Sequence, residues 1–152
     1  MALGRTLCRL SLVMLAACGG SNSGQPSIAL YSFGANPTDA LLPSGSLLQG
    51  SDGDFYGISF NGGIGGAPPT NNGFAATGAG TVFRVSPTGQ ETILHLFAGG
   101  SEDGAGPQVL IQGSDGNLYG TTAGGGAHSR GTVFRLTLAG VETILYSFGG
   151  PV

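Results

Sequence analysis

The sequence predicts an all-β chain of tandem four-stranded antiparallel blades, the units of a β-propeller. Three observations carry this. A unit of about 50 residues occurs twice, within the range of propeller repeats. Each copy resolves into four short runs rich in β-branched and aromatic residues, separated by glycine-rich turns. Those runs carry apolar side chains on both faces, so each sheet has to be covered on both sides, and stacked blades do that.

In chain order, the first element is an export signal. Arg5 and Arg9 give a positive start, Leu10 to Leu15 an apolar run, and Ala16-Ala17 the small residues of a processing site. The run falls short of the ~20 residues that span a bilayer. Leu15-Ala16-Ala17-Cys18 resembles the lipobox of bacterial lipoproteins. That resemblance implies a signal over residues 1–17 and lipidation of Cys18. The alternative is an ordinary cleaved signal with Cys18 incidental. Cys8 leaves with the signal, so Cys18 has no disulfide partner in the mature chain. Residues 18–26, rich in Gly and Ser, read as a flexible tether. Gly19 is not acidic, which under the same resemblance implies the outer membrane or cell surface rather than retention at the inner membrane.

Residues 27–34 read as a leading strand, because Ser27–Gly34 matches Glu142–Gly149. It is a fourth strand without the first three of its blade. Repeat 1 covers residues 46–97 and repeat 2 residues 108–148. Leu47-Leu48-Gln49-Gly50-Ser51-Asp52-Gly53 returns as Leu110-Ile111-Gln112-Gly113-Ser114-Asp115-Gly116, 63 residues on. Gly80-Thr81-Val82-Phe83-Arg84 returns as Gly131-Thr132-Val133-Phe134-Arg135, and Glu91-Thr92-Ile93-Leu94 as Glu142-Thr143-Ile144-Leu145, both 51 residues on. The difference of 12 places an insertion in repeat 1, within residues 60–79. In repeat 2 the predicted strands are Val109–Gln112, Leu118–Thr122, Thr132–Leu136 and Glu142–Phe148. Ser114-Asp115-Gly116-Asn117 supplies a tight turn, as does Thr137-Leu138-Ala139-Gly140. Two blades and a strand do not close a ring. The expectation is a partial propeller: either part of a longer repeat protein, or one of several chains that complete a ring together.

The run Gln112-Gly113-Ser114-Asp115-Gly116-Asn117-Leu118-Tyr119-Gly120-Thr121-Thr122, a glycine-rich loop, and Gly131-Thr132-Val133-Phe134-Arg135-Leu136 together resemble the choice-of-anchor tandem repeat family called GloVer. The likeness extends over residues 27–152. It implies a surface-associated protein held by one of several anchors, a lipoprotein signal among them, and it brings no settled activity. Asp115-Gly116-Asn117-Leu118-Tyr119 is more distantly similar to blades of streptogramin-lyase-type propellers. Those enzymes depend on a histidine, but the flanking residues here do not match well enough to transfer its role.

Charge excludes one class. The mature chain holds Arg84, Arg130 and Arg135 against eight acids, a net charge of −5. Nucleic-acid binding needs clustered basic residues, so no nucleic-acid partner is expected. No motif calls for a cofactor. Asp52, Asp54 and Asp115 lie in segments too short for a calcium loop, and hairpin turns account for them, so no metal site is expected. His95 occupies a strand position filled by Tyr31 and Tyr146 in the other copies, which reads as packing. His128, in the loop with Ser129 and Arg130, is the one candidate general base, although no acid in that loop could orient it. Arg130 is an anion-binding candidate beside it. Arg84 and Arg135 share a repeat position. They either bind a ligand or pair with acids on a neighbouring strand such as Glu91 or Glu142. The insertion is a further place for specificity. The resulting expectation is an exported, lipid-anchored β-repeat surface protein with a non-catalytic binding or structural role. The alternatives are a propeller lyase or hydrolase using His128, or a fragment without activity of its own.

Overall fold

A computed structural model describes residues 29–33, 39–62 and 78–151. Cys18, the signal, the tether and most of the insertion lie outside the described residues. The described part is all-β, and no helix forms in it. Its strands are β1 (Ala40–Gln49), β2 (Phe55–Gly62), β3 (Thr81–Val85), β4 (Glu91–Leu96), β5 (Gly104–Gln112), β6 (Leu118–Gly125), β7 (Thr132–Leu136) and β8 (Glu142–Ser147). They form two antiparallel four-stranded sheets, in the orders β1-β2-β3-β4 and β5-β6-β7-β8. Each sheet is one repeat copy, and each pairs strands that are neighbours in sequence, as short turns dictate.

The sheets reach further than the sequence suggests. β5 begins at Gly104 rather than Val109, and β6 runs to Gly125 rather than Thr122. Pro107 and several glycines lie within these extensions, and β1 and β5 are edge strands of their sheets. Proline is tolerated at an edge, where its missing N–H breaks no ladder. Register shifts between Ser44 and Leu48 and between Pro107 and Val109 absorb the irregularity. Residues 29–33, inside the expected leading strand, belong to no strand.

The central strands follow their alternation. In β7, Thr132, Phe134 and Leu136 are buried, while Val133 and Arg135 are half-buried. Phe134 lies over Gly120, the residue opposite it on β6. A Cβ at Gly120 would stand 2.4 Å from the Phe134 ring, and one at Gly57 would stand 2.4 Å from Phe83. Glycine in the repeated Tyr-Gly step therefore makes room for the repeated Phe. A buried hydroxyl pair also recurs, Ser59 with Thr81 at 2.7 Å and Thr122 with Thr132 at 2.9 Å. These pairs satisfy polar groups that burial would otherwise penalise.

The sheets stack through one repeated contact. Tyr56, Ile58, Val82, Phe97, Leu118, Phe134 and Leu136 form a shared core between them. Within it Phe97 meets Phe134 edge-on, with centroids 5.3 Å apart. On the other face of the first sheet, Phe33 meets Phe83 in the same way at 4.9 Å. Leu30, Tyr31 and Phe33 lie on a small core of Ala40, Phe83 and Val85. Residues 30–33 thus do for the first sheet what Leu94, His95 and Phe97 do for the second.

Candidate functional site

Two seams, one where residues 30–33 pack on the first sheet and one between the sheets, gather the titratable groups that packing leaves half-buried. Each seam has the same three positions: an aromatic residue from the segment before the sheet, an aspartate just ahead of its first strand, and a glutamate opening its fourth strand. At the first sheet these are Tyr31, Asp39 and Glu91. The Tyr31 hydroxyl donates to Asp39 at 2.6 Å, and Glu91 accepts from the Ala40 N–H at 3.4 Å. The bond to Asp39, chiefly, keeps the Tyr31 phenol protonated far above its usual range. Burial first, and then hydrogen bonding to Asp39, push the Glu91 carboxyl up to about 7. Two carboxyls so close cannot easily both ionise. An open hollow lies over this group, bounded also by Thr88, Gln90 and Ile93.

At the second sheet the positions hold His95, Asp103 and Glu142. His95 Nε2 lies 3.3 Å from Asp103 Oδ1 and 3.8 Å from Glu142 Oε2. Asp103 is fixed by backbone donors: the Ala98 N–H reaches its Oδ2 at 2.6 Å and the Gly104 N–H its Oδ1 at 2.6 Å. Burial first, and then the Asp103 carboxylate and a hydrogen bond to it, push Glu142 up to about 7. Sequence reasoning took His95 alone and read it as packing. Its ring does pack on Phe97, at 4.7 Å. No local spacing links positions 95, 103 and 142. The usable signal was that Asp103 and Glu142 each have a counterpart in the other copy, at Asp39 and Glu91.

Arg84 pairs with an acid at its neighbouring strand, as expected, but with one other than Glu91. Arg84 Nε meets Asp54 Oδ2 at 3.5 Å, because Glu91 faces the seam instead. In the second copy Asn117 stands where Asp54 would be. Arg135 then reaches only the Thr143 hydroxyl at 3.5 Å, and its Nε is buried without a hydrogen-bond partner. The turn aspartates are consumed locally. Tyr56 donates to Asp52 at 2.5 Å and Tyr119 to Asp115 at 2.9 Å, closing each hairpin. The Tyr56 hydroxyl, above all, holds Asp52 below the usual carboxylate range.

His128 stands in the exposed turn after β6, together with exposed Ser129 and Arg130. Ser129 has a φ of 55°, in the left-handed region, and its N–H closes the turn onto the Gly126 carbonyl at 3.0 Å. Arg130 lies along Gly149 and His128 along Gly150. Among the described residues no acid is bonded to His128. The structure therefore brings together His95, Asp103 and Glu142, while His128 and Arg130 stand in the exposed turn after β6.

The repeated sheet, the repeated hydroxyl pair and the repeated seam all describe one tandem unit. A family model described as the Gloeobacter/Verrucomicrobia repeat matches residues 22–152. The chain belongs to that family. The match takes in both sheets and the segment that packs ahead of them, so the GloVer likeness seen in the turn and strand motifs is borne out. No curated protein matches the chain.

Proposed function

We propose that this GloVer-repeat chain is an exported, lipid-anchored envelope protein that works by stacking β-repeat units, as a binding or structural element without catalysis of its own. The lipobox ending at Cys18 supports the anchor. The observation that carries the stacking is a third copy of the seam contact. Tyr146 and Phe148 repeat the pairs Tyr31–Phe33 and His95–Phe97, with ring centroids 5.1 Å apart. In this copy Tyr146 is 56% and Phe148 42% exposed, beside Leu145 and Val141 at 51% and 61%. An apolar patch with a geometry used twice already for sheet-on-sheet packing is suited to receive a further unit of the same kind.

The occupant is a repeat unit from another copy of the chain. Sedimentation of the detergent-extracted protein at rising concentration tests this. The expected result is an assembly that the double substitution Tyr146→Ser, Phe148→Ser dissociates. Wild-type protein sedimenting as a single chain at every concentration would end the proposal. Cys18→Ser should move the protein from the membrane fraction to the soluble one. Retention of the variant in the membrane would refute the anchor.

A further inference from the structure

We propose that His95, Asp103 and Glu142 form a binding site for a divalent transition-metal ion of the Zn²⁺ class, which staples one sheet to the next. The three side chains come from β4, from the connection that leads into β5, and from β8. A shared ion would therefore join the two repeat copies directly.

Distances favour an ion over simple pairing. The ligand atoms of all three residues lie within 4.8 Å of one another. His95 Nε2 is 3.3 Å from Asp103 Oδ1 and 3.8 Å from Glu142 Oε2. Charge-assisted N–H···O bonds close to about 2.7–2.9 Å. Ligands around a tetrahedral ion at about 2.0–2.2 Å stand roughly 3.3–3.5 Å apart. The His95–Asp103 distance matches that spacing, and the 3.8 Å to Glu142 closes to it with a shift of a few tenths of an ångström.

A second observation is independent of the distances. The Glu142 side chain is only 10% exposed, and its Oε1 is buried with no hydrogen-bond partner. Burying a carboxylate with an oxygen left so is costly, and a cation held by the same carboxylate, whose Oε2 faces His95, offsets the cost. The supporting shell is present as well. Two backbone N–H groups orient the Asp103 carboxylate, as outer-shell donors orient metal ligands.

The other seam serves as an internal control. There Tyr31 supplies its own proton to Asp39 at 2.6 Å, so no cation is required. Histidine in its place offers a ring nitrogen lone pair instead. One imidazole and two carboxylates suit Zn²⁺, Co²⁺ or Mn²⁺ rather than a thiolate-seeking metal. Their two negative charges balance a divalent ion. Three protein ligands leave one position open to water or to a ligand group.

The test uses the tag-free full chain in detergent, stripped with a chelator and titrated with Zn²⁺ by equilibrium dialysis. One equivalent is expected to bind, with a rise in Tm. Co²⁺ in its place should show the visible absorption of a four-coordinate site. His95→Tyr copies the residue of the other seam, so it should keep the β-type circular dichroism. It should also weaken Zn²⁺ binding by about 100-fold or more and abolish the Co²⁺ band. His128→Ala, which removes the other histidine, should leave binding unchanged. Should His95→Tyr fail to fold, the near-isosteric Glu142→Gln decides in its place, with a weakening of about 10-fold or more. The proposal is overturned if no stoichiometric Zn²⁺ binds, or if binding survives unchanged in the folded seam variant. Either result would mean that the cluster is an imidazole–carboxylate contact and nothing more.

Discussion

Glu91→Gln should make the protein more tolerant of alkaline pH. Glu91 titrates at about 7 in the folded chain against a reference of 4.5. Burial is the main cause, and Asp39 adds to it. A carboxyl with a raised folded pKa holds its proton longer in the folded state than in the unfolded one. Its contribution is therefore fully present below pH 4.5 and is lost as pH rises through 7. Each pKa unit is about 1.4 kcal/mol, so the ceiling is on the order of 3 kcal/mol. Glu91 is half-buried at an open hollow, and solvent screening brings the expectation to about 1–2 kcal/mol. Glutamine has the shape of the protonated acid and can donate to Asp39 at every pH. Urea midpoints of wild type and variant should thus agree near pH 4, and the variant should gain about 0.5–1 M by pH 8.5. Subtracting the two curves removes the contributions of every other group. A flat difference from pH 4 to 8.5, or a variant that loses ground as pH rises, would refute the buried shared-proton account of the seam.

Other expectations follow from packing. Phe134→Ala removes the ring that receives Phe97 and should cost about 3–5 kcal/mol in urea unfolding. Gly120→Ala drives a methyl into Phe134 and should cost about 1–3 kcal/mol. By contrast Gly124→Ala meets nothing nearer than 3.7 Å and should stabilise by about 0.4–1 kcal/mol through the unfolded chain. Thermal melts of these two glycine variants should move in opposite directions. Asp54→Asn leaves Arg84 as Arg135 already is, and should cost no more than about 1 kcal/mol, an effect that fades in 1 M salt.

Much of the fold was legible because the sequence states it twice. Thr132-Val133-Phe134-Arg135-Leu136 alternates as a strand should, and its copy at Thr81 confirms the reading. The hairpins were equally plain from Ser51-Asp52-Gly53 and Ser114-Asp115-Gly116. Strand ends were misread where Pro107 and the glycines around it stay in the ladder, because edge position cannot be judged before the sheet order is known. The acid that Arg84 pairs with was not legible for a related reason. Arg84 has acids on more than one side, and only side-chain direction selects Asp54 over Glu91.

The sequence by itself determined the repeat, the all-β class, the family and the turn chemistry. All of these are encoded by residues close together in the chain or by direct comparison of two copies. Only the tertiary structure decided what meets at the seams. Tyr31 meets Glu91 where residues 30–33 pack on the first sheet, and His95 meets Glu142 where the two sheets stack, and neither contact has a local period to read. The same stacking turned His95 from a packing residue into one vertex of a His–Asp–Glu cluster. It also left Tyr146 and Phe148 uncovered, because a face is closed only by the unit that lies against it.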